Sequence, residues 1–272
     1  MRLGIHLPQF RAPVTGEDLA SFARDAEAAG ADDLWVSDHV ILPAGSTRPP
    51  ESFHDSLTVL TWAAAATNHI GLGTSVLVAP YRHPVLLAKS AASLDALSGG
   101  RVILGVGSGW MEPEFAALGV PYRGRGRRTD ETVAVCRALW RGDESVAWSG
   151  GRLDGLTILP RPARPGGPPV WVGGDSDAGI ARGVRIGDAW HTTVSDPKAL
   201  PVRIATLDAA LAAAGRPREG FTLSVRVRGD LDRLRLLAPR FRDLGVDHVL
   251  VDHPDEDPAT TAVRVAALRA IL

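Results

Sequence analysis

Residues 101–110 read Arg101-Val102-Ile103-Leu104-Gly105-Val106-Gly107-Ser108-Gly109-Trp110, an apolar run that passes straight into a glycine-rich, nearly chargeless end. Glycines at 105, 107 and 109 strip side chains from that end, so a flat ligand is expected to approach its backbone closely. Two further stretches repeat the pattern. Leu72-Gly73-Thr74-Ser75-Val76 interrupts an apolar run with small polar residues, and Val170-Trp171-Val172-Gly173-Gly174-Asp175-Ser176 leads a short strand into a helix. Three such strand ends in one chain predict a large cofactor lying across the top of a barrel.

Outward from this stretch the chain alternates between period-2 and period-3.6 patterns. Strands are expected over 3–7, 34–37, 70–79, 102–106, 170–172, 189–193, 221–227 and 248–251. Helices are expected over 16–29, 56–67, 84–98, 129–140, 176–185, 197–214, 230–244 and 258–271, with Pro84 well suited to a first turn. The stretch 142–168 reads as irregular. Eight strand–helix units with nothing left over argue for an α/β fold, a single (β/α)8 TIM barrel spanning residues 1–272.

Composition narrows the partners. The 272 residues are 45% hydrophobic and carry 30 basic against 31 acidic side chains, a formal charge of −1. No basic domain marks a nucleic-acid binder, and no polybasic run marks a membrane surface. No apolar stretch approaches the roughly 20 residues of a spanning helix. The lone Cys136 excludes an intrachain disulfide and any zinc-type cysteine spacing. A cytoplasmic protein acting on a small molecule is expected, with no nucleic acid and no membrane.

Active sites of such barrels lie at the C-terminal strand ends. Residues there include His6, Gln9, Asp38, His39, Thr74, Ser75, Ser108, Trp110, Gly173, Gly174, Trp190, His191, Arg226, Asp252 and His253, with no lysine. His39, beside Asp38 and before a loop with Pro43 and Pro49-Pro50, suits proton transfer near pH 7. Its plain alternative is a histidine that caps its strand. Thr74-Ser75-Val76 reads either as a bulge or as backbone held under a ligand, including a non-proline cis bond. Gly173, Gly174 and Ser176 read either as a phosphate cradle at a helix start or as an ordinary N-cap. Trp190 and His191 read either as core residues or as a wall of the cofactor pocket, with His191 near a phosphate chain. His6, His191, Asp252 and His253 could converge on a cation, but no His-x-His pair is present and no metal is expected.

Several blocks together are similar to the luciferase-like monooxygenase superfamily. They are Asp33-Leu34-Trp35-Val36-Ser37-Asp38-His39, Gly71-Leu72-Gly73-Thr74-Ser75-Val76, Tyr81-Arg82-His83-Pro84 and Leu97-Ser98-Gly99-Gly100-Arg101. Gly105 to Trp110, Arg125 to Glu131 and Gly187 to His191 continue the series in family order. The chain most resembles the branch that uses the deazaflavin coenzyme F420. That resemblance implies a barrel with a deazaflavin, or alternatively reduced FMN, at its C-terminal face. It implies His39 by the reactive ring, Asp38 as a cofactor contact and Thr74 in the block whose Ser75–Val76 peptide is often cis and backs the ring. It further implies Gly107, Ser108 and Gly109 at the ring edge, Gly173, Gly174 and Ser176 at the phosphate, and a homodimer, which is common in the family.

One departure is visible. F420-linked sugar-phosphate dehydrogenases place a glutamate directly after the Gly-Ser-Gly block, where Trp110 stands here. The expected function is hydride transfer between F420 and a small organic substrate, with His39 moving the proton. The alternatives are an FMN-dependent monooxygenase using oxygen, a non-enzymatic flavin-binding barrel and a metal-dependent hydrolase.

Overall fold

The computed structural model describes residues 1–10, 14–42, 44, 53–229, 231–252 and 260–272. Pro43, Pro49 and Pro50 of the loop after His39, the expected helix starts at Asp230 and Pro258, and His253 lie outside these residues. In chain order the first elements are β1 (Arg2–His6), α1 (Gly16–Ala28), β2 (Asp33–Val36), α2 (Ser56–Ala66), β3 (Gly71–Thr74), β4 (Leu77–Val78), α3 (Pro84–Leu97) and β5 (Val102–Gly107). They are followed by α4 (Glu112–Ala117), α5 (Arg125–Arg141), β6 (Ser145–Trp148), β7 (Gly151–Asp154), β8 (Val170–Gly173) and α6 (Asp177–Ile186). The chain ends with β9 (Ala189–Thr192), α7 (Leu200–Ala213), β10 (Thr222–Arg228), α8 (Leu231–Asp243), β11 (His248–Asp252) and α9 (Thr261–Ile271).

All pairings outside the β6–β7 hairpin are parallel, and β1 pairs with both β2 and β11, which closes the sheet. Because β3 and β4 both pair with β5, they form one stave broken in the middle. Counted so, the molecule is an eight-stave TIM barrel. Its strands are buried on both faces, which is why they read as nearly continuous apolar runs.

Helix faces explain the outer layer. Thr15 caps α1 and receives a reciprocal contact from Asp18, so the helix starts there and turns Leu19, Phe22, Ala23 and Ala26 onto the barrel. The C-terminal end of α5 is closed by Gly142 in the left-handed region. Inside the barrel, Trp35, Ile103, Trp171 and Leu250 fill the lower half. Among the described residues no helix is long and apolar enough to cross a membrane.

The structure departs from the sequence reading at three places. The strand expected over 70–79 breaks between Thr74 and Leu77, at the Ser75–Val76 peptide, which is cis as the resemblance implies. The helix expected from residue 129 begins at Arg125, and α4 precedes it unforeseen. The irregular stretch 142–168 contains the β6–β7 hairpin.

The glycines of β5, and Gly173 of β8, also meet a packing constraint that the sequence reading did not foresee. A Cβ on Gly105 would lie 1.8 Å from the Thr74 carbonyl oxygen. Cβ atoms on Gly107 and Gly173 would lie 2.6 and 2.8 Å from the Val76 methyl carbons. The broken stave therefore occupies the space that Gly105, Gly107 and Gly173 leave on its side. Gly105→Ala is expected to destabilise the protein by about 1–3 kcal/mol or more through overpacking against backbone. Gly183→Ala, on a helix where the nearest atom is 3.7 Å away, is expected to stabilise it by about 0.5–1 kcal/mol. Urea denaturation of the two variants beside the parent chain checks both signs.

Candidate active site

The upper end of β2 sends two adjacent side chains to different partners. Asp38 is buried, and its carboxylate accepts from Arg82 Nη1 at 2.6 Å and Nη2 at 2.8 Å, Ser56 Oγ at 2.9 Å and the Val78 amide at 2.8 Å. It thereby ties the end of β2 to the start of α2 and to β4. Although Asp38 borders the mouth cavity, its oxygens are already engaged, so the expected cofactor contact is not a free carboxylate.

His39 turns instead toward Glu114, on α4. Its Nδ1 lies 3.0 Å from Glu114 Oε2, and the same carboxylate accepts from Tyr81 Oη at 2.8 Å and the Val40 and Ile41 amides at 2.5 and 3.2 Å. Burial opposes ionisation of Glu114, but donation from His39, Val40, Tyr81 and Ile41 outweighs it and holds the carboxyl below its ordinary range. Tyr81 is pushed up by burial and by its bond to Glu114, so it stays a donor. With Nδ1 donating to a carboxylate, Nε2 of His39 is left as the accepting nitrogen. Edge contacts from Phe53 and Trp110, with centroids at 5.4 and 6.0 Å, hold the ring.

The floor of the mouth is the Ser75–Val76 peptide. Its Ser75 amide donates to Val36 O at 2.7 Å, while Arg226 Nη1 donates to the Ser75 carbonyl at 2.7 Å. Arg226 Nη2 also donates to Asp252 at 2.6 Å. Beside this clamp, burial and Arg226 lower the pKa of His6 to about 4, so the imidazole is neutral at pH 7. Its Nδ1 donates to Leu7 O and its Nε2 accepts from Ser37 Oγ.

These groups surround a cavity of about 380 Å³ at the C-terminal end of the barrel. Of the sequence-derived candidates, Asp38, His39, Ser75, Val76, Gly107, Ser108, Gly109, Gly173 and Gly174 border it. The other four do not. Thr74 is buried and donates to Gly105 O; Ser176 Oγ accepts from the Gly179 amide as the N-cap of α6. Trp190 is wholly buried and donates through Nε1 to Gly174 O, so it supports the loop from behind. His191 lies below the floor between Ser75 and Ser224, not beside a phosphate position. A larger groove of about 750 Å³ between α2 and α3 lies on the outside of the barrel.

Among the described residues no three His, Cys, Asp or Glu side chains gather as a metal site. The sequence reading left the role of Arg226 unassigned and did not single out Glu114. Arg226 was visible only as a strand-end cation, with nothing to show that it would clamp Ser75. Glu114 follows the strand end by several residues, and a carboxylate next to buried Phe115 was the available signal.

A family model described as luciferase-like monooxygenase matches residues 1–229. An F420-dependent glucose-6-phosphate dehydrogenase of Kineococcus radiotolerans is 35% identical over 222 residues, covering 79% of this chain and 61% of that protein. The fold is shared with an F420-dependent secondary alcohol dehydrogenase bound to an F420–acetone adduct, at a TM-score of 0.82 and 19% identity over 100% of this chain and 98% of that one. It is shared equally with the monooxygenase RslO1 of Streptomyces bottropensis, at a TM-score of 0.81 and 20% identity with the same coverage.

Glu114→Gln is expected to cost about 1–3 kcal/mol at pH 7, because an amide cannot accept from all four donors. A carboxyl whose folded pKa is depressed contributes stability above its unfolded value and loses it as pH falls through the folded value. The gap between parent and variant is therefore expected to narrow below about pH 4.5, the ordinary glutamate value. Urea denaturation between pH 3 and pH 7 checks the trend.

Proposed function

Because this chain belongs to the luciferase-like monooxygenase family, we propose that it is an oxidoreductase that transfers hydride between F420 and a small organic substrate. The observation that carries this reading is the pairing of His39 Nδ1 with Glu114 across the mouth from the Ser75–Val76 floor. It fixes an imidazole with a free accepting nitrogen at the rim of a cavity of small-molecule size.

The residues present suit a flavin-type ring. The cis peptide and Val76 offer a flat floor without a projecting polar side chain, and Gly107 to Gly109 and Gly173 to Gly174 form two low walls. A Cβ on Gly174 would meet nothing closer than 3.6 Å, so the second wall has room beside the α6 N-terminus, where amides and helix dipole favour an anion. A bound deazaflavin would supply the hydride acceptor or donor. The protein supplies the proton path and the placement. His39 Nε2 takes the hydroxyl proton as a substrate alcohol becomes a carbonyl, or returns it in the opposite direction, while Glu114 stabilises the imidazolium. Trp110, 69% exposed, and the half-exposed Val40 and Ile41 give the rim an apolar surface for the substrate.

The F420 assignment is supported by the name of the relative that is 35% identical, and FMN is the second reading because a monooxygenase shares the fold. Titration of the purified protein with F420 and with FMN tests the choice. Tighter binding of F420 is expected, and binding of FMN alone would replace hydride transfer by the monooxygenase reading. His39→Ala and His39→Gln are expected to keep near-normal F420 affinity and to lose about 10²–10⁴-fold in turnover, measured by the absorbance of the oxidised deazaflavin. Equal turnover in parent and variants would remove the proton role from His39.

A further inference from the structure

A buried polar chain runs from the floor of the mouth toward the opposite end of the barrel. Ser75 Oγ lies 2.8 Å from His191 Nε2, His191 Nδ1 lies 2.7 Å from Ser224 Oγ, and Ser224 Oγ lies 2.7 Å from His248 Nδ1. His248 Nε2 then faces Asp33 Oδ2 at 3.4 Å, and neither atom has a hydrogen-bond partner of its own among the described residues. Asp33 also accepts from Arg2 and borders a cleft of about 460 Å³ at the N-terminal end of the barrel. The register accounts for the spacing, since Ser224 sits opposite both His191 on β9 and His248 on β11. Strand tilt in a barrel turns such sideways neighbours into steps along the axis.

We infer that Ser75, His191, Ser224, His248 and Asp33 form a proton relay between the floor of the pocket and the lower cleft. Its use during turnover rests on the function proposed above; its existence as a conducting chain does not. Each interior link is a hydroxyl or an imidazole, which can donate and accept at once. With Asp33 as terminal acceptor, one order of donors serves all three hydrogen bonds and leaves the His248 Nε2 proton facing Asp33 Oδ2 across 3.4 Å. His248 donates from Nε2, Ser224 donates to His248 Nδ1, His191 donates from Nδ1 to Ser224, and Ser75 donates to His191 Nε2.

A proton arriving on Ser75 Oγ moves each of these one bond along and leaves one proton on the Asp33 carboxylate. No bond between heavy atoms changes and nothing is oxidised. A proton returning the same way restores the starting tautomers. The rings are held in line, with His191 stacked on Trp35 at 5.5 Å and 6° and His248 edge-on to Trp171 at 4.9 Å. Burial, aided by His248 and Arg226, holds His191 well below the ordinary histidine range, so it is neutral at pH 7 with one nitrogen free to accept.

The test uses cofactor-free protein with ¹⁵N-labelled histidine, so it reads the relay independently of any turnover. The nitrogen shifts are expected to show His191 protonated on Nδ1 and His248 on Nε2, with both ring protons exchanging into D₂O at a common rate. Ser224→Ala is expected to slow exchange at His191 by about tenfold or more, the effect of losing one hydrogen-bonded link, and Ser224→Thr to restore it. Tautomers that oppose one another, or exchange unaltered by Ser224→Ala, would overturn the relay. Should the alanine variant fail to fold, the tautomers of the parent protein decide by themselves. An F420 titration on the same sample separates loss of the relay from failure of the cofactor assignment.

Discussion

The guanidinium of Arg226 crosses the top of the barrel and binds four groups from three residues: the Ser75 carbonyl and hydroxyl, the Ser37 hydroxyl and the Asp252 carboxylate. The Ser75 carbonyl at the pocket floor accepts from this cation at 2.7 Å and from the Ser37 hydroxyl at 3.4 Å. Burial works against ionisation of Asp252, yet His6, Arg226 and Arg228 together hold its carboxyl below the usual range. A buried pair of this kind adds little net stability over an apolar replacement, whereas removing one partner strands the other at a cost of about 3–5 kcal/mol. What the clamp provides is position. It fixes the height of the floor on which the rest of the mouth is built.

Opposite the floor, two carboxylates divide the work. Asp38 meets a guanidinium and an amide and serves as a structural anchor between β2, α2 and β4. Glu114 meets an imidazole and a phenol and serves as the orienting group for His39. Side chains next to each other on an extended segment point to opposite sides, which is why Asp38 does not pair with the histidine it precedes. The acid that does so comes from a different loop, after β5.

The barrel was legible because its signals are local. Alternating periodicity and the Pro84 helix start each depend on a few neighbouring residues. Strand-end placement of His39, Ser75 and Ser108 followed from the same count. Glu114 was not legible, since its role depends on where the short helix α4 folds back, which no pattern within 110–125 records. Trp190 and His191 stayed open between core and pocket wall for a related reason. Alternation along β9 turns them to opposite faces, but only the packing of Trp35 and Ser75 reveals that both stay behind the pocket surface. The packing of the β5 glycines against Thr74 and Val76 was not legible, since it depends on how the neighbouring stave breaks.

That last point has an evolutionary side. Val76 lies with its methyl carbons against both Gly107 and Gly173, so its side chain packs across the neighbouring ends of β5 and β8. Residues sharing one packing volume do not vary independently. A larger residue at 107 or 173 is tolerable only if position 76 shrinks, and a smaller residue at 76 opens a void that either glycine could then fill. Divergence of this pocket is therefore constrained by epistasis, because a change at any one of positions 76, 107 and 173 alters the space open to the other two.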